Sequence, residues 1–195
     1  MRKYEVEIRA ILTKNQRKRI IDKLKNIGAT LKFKEDIADY YFCPQNVKSF
    51  RGVEMNNVGS YGLRLRRRKG KDGEKTELNL KVITKYGDHR AWREHEIEIS
   101  SFDEGKLILS SIGFKPFFHL LKKRTTFSLN PFSIEIEDIK GFGSAVEIEI
   151  ITNSKSKTGR AKQRILDFLN NIGIVQKQIV PKSITNLLMH KKAKF

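Results

Sequence analysis

The sequence predicts an α+β fold: an antiparallel β-barrel of about eight strands with a charged lumen and helices packed on its outside. Three observations predict it. Seven short segments alternate strictly between apolar and charged residues, the pattern of strands with two unlike faces. Their polar faces are almost purely Glu, Arg and Lys, where an ordinary solvated sheet would mix in Thr, Ser and Gln. Between them lie helical stretches whose apolar positions recur every three or four residues, as helices laid on a sheet require.

The elements follow in order. The first strand, "YEVEIR", sets Glu5, Glu7 and Arg9 opposite Val6 and Ile8. A helix over 14–27 carries Ile20, Ile21, Leu24 and Ile27 and stops at Gly28. A long loop over 43–60 leads to "YGLRLRRRKG", with Arg64, Arg66 and Arg68 opposite Leu63 and Leu65. "ELNLKV" sets Asn79 and Lys81 opposite Leu78, Leu80 and Val82, and "REHEIEIS" sets Glu94, Glu96 and Glu98 opposite Ile97 and Ile99. A second helix runs over 103–112 and ends at Gly113. "LKKRTTF" offers Lys122 and Arg124 on one parity and turns Lys123 to the other. "FSIEIED" sets Glu135 and Glu137 opposite Ile134 and Ile136, and "AVEIEI" sets Glu147 and Glu149 opposite Val146, Ile148 and Ile150. A polar loop over 153–160 precedes a helix over 160–172 that ends at Gly173, and a short last helix follows Ser183. No Ser/Gly-rich linker interrupts the chain, so residues 1–195 read as a single domain.

Like charges on one strand repel unless something offsets them. If the sheet closes, helices can cover the apolar outside and the charged faces then line the inside. Such a lumen is costly unless opposite charges, metal ions or a charged ligand compensate. It reads as a tunnel for a polyanion. The net charge of +18 favours the same class of partner. Cys43 is the only cysteine, which excludes an internal disulfide and a multi-cysteine zinc site. No apolar run approaches the roughly 20 residues of a membrane span, and the start lacks a signal-peptide core; a cytoplasmic protein, monomer or homodimer, with no membrane partner, is expected. His89, His95, His119 and His190 show no ligand spacing, and P-loop and Rossmann glycine patterns are absent.

Glu5-Val6-Glu7-Ile8-Arg9 resembles the ExExK signature of the CYTH superfamily, the triphosphate tunnel metalloenzymes. "DYYF" at 39–42, "LRLR" at 63–66, "LNLK" at 78–81, "IGFKP" with "KKR" at 122–124, "GFGSAVEIE" and "KSITNLL" at 182–188 resemble further elements of that family, in order. The branch resembled is that of class IV adenylyl cyclases and thiamine triphosphatases. There are departures: Arg9 stands for the signature lysine, Glu137 for a usual Asp, Ala145 for a Phe and Ile184 for a Tyr. Arginine holds phosphate but cannot serve as a lysine-type base.

The resemblance implies a site. Arg64, Arg66, Lys81, Lys122, Arg124 and Lys182 are expected to bind the substrate's phosphates, as is Arg9 by its parity. Glu5, Glu7, Glu147 and Glu149, with Glu137, are expected to hold Mg²⁺ or Mn²⁺ through hard oxygen donors. Glu5, Glu7, Arg9 and Lys81 are the expected catalytic set. The implied reaction is conversion of ATP to cyclic AMP and pyrophosphate. The alternatives are hydrolysis of thiamine triphosphate, inorganic tripolyphosphate, a nucleoside triphosphate or an RNA 5′-triphosphate. A further alternative is a basic RNA-binding protein with altered tunnel chemistry, since Lys14, Arg17, Lys18, Arg19, Lys23 and Lys25 crowd the first helix.

Overall fold

A computed structural model describes residues 4–55, 57–83, 92–181, 183–192 and 194. Among them are nine strands and four α-helices. In chain order they are β1 (Tyr4–Leu12), α1 (Gln16–Asn26), β2 (Thr30–Pro44), β3 (Tyr61–Gly70), β4 (Gly73–Ile83), β5 (Trp92–Ile99), α2 (Phe102–Ser111), β6 (Phe114–Leu129), β7 (Phe132–Ile139), β8 (Gly143–Thr152), α3 (Thr158–Asn171), β9 (Ile179–Val180) and α4 (Ile184–Lys192). The strands follow the hydrogen-bonded order β5-β4-β3-β2-β6-β7-β8-β1-β9.

The α+β class and the antiparallel sheet are as expected, and the seven alternating segments are all strands. The strand number is corrected from eight to nine, and among the described residues the order has two ends, β5 and β9. β9 is two residues long, too short to carry an alternation, and pairs with Arg9 and Ala10. β2 lacks the alternating signature for a different reason: Ile37, Ala38, Asp39, Phe42 and Cys43 are all buried, so it hides residues of both parities. The polar loop expected over 153–160 is shorter, because α3 begins at Thr158.

Three helices stop as their glycines predict. Gly28, Gly113 and Gly173 have φ of 82°, 91° and 89°, a region that costs other residues energy. The turn so made returns amides to the helix's last carbonyls, as in Ala29 N to Leu24 O at 2.9 Å and Ile174 N to Leu169 O at 2.9 Å.

The chain divides into two compact units, Met1–Glu35 with Lys122–Ser183, and Asp36–Leu121 with Ile184–Phe195. In the first unit, Val6, Ile8, Ala10 and Leu12 of β1, Ile134 and Ile136 of β7, and Val146, Ile148 and Ile150 of β8 share one apolar core. Ile20 and Leu24 of α1 and Ala161, Ile165, Phe168 and Leu169 of α3 close it from the helix side. Each fully buried Ile or Leu there contributes roughly 1.5–3 kcal/mol. In the second unit, Phe42, Leu63 and Leu65 pack with Leu109 of α2, and Tyr40, Leu78, Leu80, Ile99, Phe102 and Phe114 flank them. α2 is capped by Ser101, whose side chain accepts from Glu104 N. Gly105 lets that helix approach closely: a Cβ there would stand 2.5 Å from Ile99 Cδ1. Within these two cores the apolar strand residues meet the helices, and the charged residues that alternate with them lie on the other face of the same strands.

Candidate active site

In the first unit the charged face is built by register. Arg9 of β1 lies opposite Glu147 of β8, which lies opposite Glu135 of β7. Glu7 lies opposite Glu149, and Arg124 of β6 opposite Glu137 of β7. The Arg9 guanidinium donates from Nε to Glu147 Oε2 at 2.5 Å and from NH2 to Glu7 Oε1 at 2.5 Å. Glu137 accepts from Lys122 Nζ at 2.6 Å and from Arg124 Nε and NH2 at 2.9 and 2.6 Å. Arg124 NH1 also donates to Glu135 Oε1 at 2.8 Å. Lys123 faces the other way and is exposed, as its parity predicts.

The electrostatics follow from these partners. Burial alone would raise the Glu137 carboxyl, but Lys122 and then Arg124 outweigh it and hold the pKa below the ordinary range. Burial would also raise Glu147; Arg9 and a hydrogen bond with Glu7 bring it down to about 2. Glu7 goes the other way, up to about 8, through burial first and then the charge of Glu147. Burial likewise raises Glu135, and Arg124 offsets only part of the effect. A charged Glu147 beside a protonated Glu7, bridged by Arg9, is the arrangement these shifts describe.

In the second unit, a row crosses four strands: Tyr41, Arg64, Asn79 and Glu96 lie directly opposite one another on β2, β3, β4 and β5. The next row is Asp39, Arg66, Glu77 and Glu98. Arg66 and Asp39 form a buried fork, Nε to Oδ1 at 2.5 Å and NH2 to Oδ2 at 2.8 Å. Burial would lower the Arg66 pKa, and Asp39 outweighs it, raising the pKa further above its ordinary value. Arg64 instead donates Nε and NH2 to Asn79 Oδ1 at 3.1 and 3.0 Å. Asn79 is itself buried and donates Nδ2 to Glu96 Oε2. Arg68 donates to Glu77 at 3.0 Å, and Lys81 pairs with Glu94 at 3.1 Å near the surface.

The expected site residues thus fall into two sets. In the first unit side-chain contacts join Glu7, Arg9 and Glu147 in one group and Lys122, Arg124 and Glu137 in another, with Glu149 opposite Glu7 and Glu5 two residues along the same strand. Arg64, Arg66 and Lys81 belong to the second unit. Lys182, expected to bind substrate, and His89 lie outside the described residues. The sequence did not single out Asn79 as the partner of Arg64, Glu135 as a partner of Arg124, or Glu96 as the partner of the Asn79 amide. Their parity was readable, but which residue meets which depends on strand register.

For a divalent cation the donor set fits in kind: Glu5, Glu7, Glu147 and Glu149 offer hard carboxylate oxygens on adjacent strands. The raised Glu7 marks crowded carboxylates that a cation would relieve. No three acidic, His or Cys side chains converge on a common point among the described residues, and the Arg9 guanidinium occupies the gap between Glu7 and Glu147.

The profile of the CYTH domain matches residues 3–184, nearly the whole chain. The chain belongs to the CYTH domain family. Among proteins with known names, this CYTH chain is similar to the adenylate cyclase CyaB of Aeromonas hydrophila, 21% identical over 91 residues; these are 47% of this chain and 48% of that protein, so the match spans about half of the relative's length. Among solved structures it is similar to PH1819 from Pyrococcus horikoshii OT3, with a TM-score of 0.76 and 22% identity, covering 96% of this chain and 99% of that one. It is also similar to HpAC1 from Hippeastrum, with a TM-score of 0.64 and 18% identity, covering 97% and 95%. HpAC1 is described as a candidate adenylyl cyclase with a dominant triphosphatase activity. At these identities the structural likeness is one of CYTH fold. No helix among the described residues is long and apolar enough to cross a membrane.

Proposed function

We propose that the chain is a metal-dependent enzyme acting on a triphosphate, with ATP cyclised to cyclic AMP and pyrophosphate. In that reaction the ribose 3′-hydroxyl attacks the α-phosphorus, the bond to the bridging oxygen breaks, pyrophosphate leaves and the hydroxyl proton is released. The observation that carries the reading is the placement of Arg64 and Arg66 two residues apart on one face of β3, with the Arg64 hydrogen bonds going to a neutral amide and the Asp39 carboxylate standing off at 3.9 Å. An arginine whose hydrogen bonds go to a neutral group is suited to phosphate oxygens. In the second unit Arg64, Arg66 and Lys81 are the proposed phosphate-binding groups, and in the first unit Lys122, Arg124 and Arg9. Glu7 and Glu149, with Glu5 and Glu147, would hold Mg²⁺ or Mn²⁺. The ion would supply charge stabilisation for the phosphoryl oxygens. The likeness to CyaB supports cyclisation.

Hydrolysis of the terminal phosphate is the second reading, favoured by the likeness to HpAC1. Both need positioned cations around a triphosphate and differ in the nucleophile, a ribose hydroxyl or water. Exposed Lys18, Arg19, Lys23 and Lys25 on α1 add an RNA 5′-triphosphate to the substrates to be tried. A reducing, cytoplasmic setting fits the lone buried thiol of Cys43.

The deciding experiment incubates the protein with ATP, thiamine triphosphate, tripolyphosphate and a 5′-triphosphorylated RNA, each with Mg²⁺ or Mn²⁺, and identifies the products. Cyclic AMP with pyrophosphate supports the cyclase. Orthophosphate supports the hydrolase. Absence of turnover with every substrate and both ions overturns the enzyme reading.

A further inference from the structure

Two arginines stand two residues apart on the charged face of β3, and their settings differ. Arg66 is cancelled: both oxygens of buried Asp39 take its fork at 2.5 and 2.8 Å. Arg64 is fixed as firmly, but by a neutral group. Its Nε and NH2 converge on the single Asn79 Oδ1, and Asp39 lies no nearer to it than 3.9 Å. Its NH1 takes part in no hydrogen bond among the described residues.

The Asn79 amide has one orientation that serves both neighbours. Its oxygen must face Arg64, which only donates, and its NH₂ must face the Glu96 carboxylate, which only accepts. Glu96 therefore sets the amide, the amide sets the guanidinium, and the Glu96 charge stays on the far side of Asn79 from Arg64. The three residues are direct cross-strand neighbours, so the relay needs no side chain to reach beyond its own row. Asn79 is 1% exposed, which fixes the geometry by packing as well.

We propose that Asn79 is a positioning residue that holds Arg64 in place without cancelling its charge, with Glu96 orienting the amide, so that Arg64 remains available to a phosphate group. This rests on the reading of Arg64 as a phosphate-binding residue. An acid at position 79 would hold the guanidinium in the same place and remove what makes it useful. The difference between the two arginines is then a division of labour. Arg66 with Asp39 ties β2 to β3, and Arg64 is left to meet an anion.

The test is the affinity for inorganic tripolyphosphate, measured by calorimetry at a temperature where circular dichroism shows each variant folded. Asn79→Asp with Glu96→Gln is the informative pair. The carboxylate introduced at position 79 accepts from Arg64, and the amide introduced at position 96 donates to that carboxylate. The hydrogen-bonded chain is thereby restored and the net charge of the protein is unchanged. The proposal expects this double variant to bind about tenfold or more weakly than the parent, close to Arg64→Ala, because the guanidinium is now paired. A double variant that binds as the parent does overturns the proposal: the charge left on Arg64 would then be immaterial, and shape alone would explain position 79. If Arg64→Ala itself binds tripolyphosphate as the parent does, the phosphate-binding role of Arg64 fails, a separate result that removes the ground of the inference.

Discussion

Replacing Glu137 with glutamine should destabilise the first unit strongly at neutral pH and weakly in acid. The carboxylate is 10% exposed and accepts from Lys122 and Arg124, themselves 7% and 11% exposed, at 2.6 to 2.9 Å. Removing one member of a buried ion pair costs roughly 3–5 kcal/mol, since the partner's charge stays behind in a poorly solvated place. Arg124 keeps Glu135, and glutamine keeps one acceptor oxygen, so the low end applies, about 3 kcal/mol. For a chain of this length that is about 6–12 °C in Tm. The pH dependence has a definite sign. Glu137 has a folded pKa below its ordinary value of 4.5, so its contribution is complete above that value and is lost as the pH falls through the folded one. The gap between parent and Glu137→Gln should be widest near pH 7 and close as the pH falls below 4.5 through the folded value. Urea denaturation followed by circular dichroism at several pH values measures it. A gap under about 0.5 kcal/mol at pH 7, or one that stays constant into acid, would refute the argument.

The remaining predictions concern other members of the charged faces. Asp39→Asn should cost roughly 3–5 kcal/mol by stranding buried Arg66, whereas the apolar pair Asp39→Leu with Arg66→Met should fold nearly as stably as the parent; equal urea midpoints for Asp39→Asn and the parent would contradict this. Glu7 has a folded pKa raised to about 8, so in metal-free buffer the parent should lose stability as pH rises from about 4.5 to about 8, and Glu7→Gln should flatten that decline in a Tm-against-pH series. Arg9→Ala removes the guanidinium between Glu7 and Glu147, so MnCl₂ should raise the Tm of the variant more than that of the parent; equal gains would mean that Arg9 and the ion do not compete. Glu149→Gln should abolish turnover while circular dichroism shows the variant folded, and normal turnover with the usual metal dependence would remove Glu149 from the ligand set.

The sequence made the strands legible because the period-2 pattern is so clean. Glu147 and Glu149 beside Val146, Ile148 and Ile150 admit no other reading, and the structure sends those apolar residues into the helix-covered core. The Gly-terminated helices were legible for a similar reason: each stop needs a positive φ that its glycine alone supplies cheaply. β2 was not legible by pattern, because it buries both parities around Ile37, Ala38 and Asp39. At the candidate site, parity told which residues share a face, and the resemblance told which of them to single out. The pairing was beyond reach. Whether an arginine meets an aspartate, as Arg66 meets Asp39, or an amide, as Arg64 meets Asn79, is a matter of cross-strand alignment. That alignment is set by turns and packing rather than by neighbours in sequence.

The rows of charge on β3 and β4 have a consequence for how the chain finds its fold. A sheet with an oily face and a bland polar face can slide by two residues at little cost, because each face still meets its own kind. Here such a slide of β4 along β3 would set Arg64 against Lys81 and Arg66 against Asn79, two cations face to face in place of an arginine on an amide. A slide by one would push Asn79 and Lys81 into the layer of Leu78 and Leu80. The charged face therefore acts as a proofreader during strand pairing, rejecting near-miss alignments that apolar contacts alone would accept.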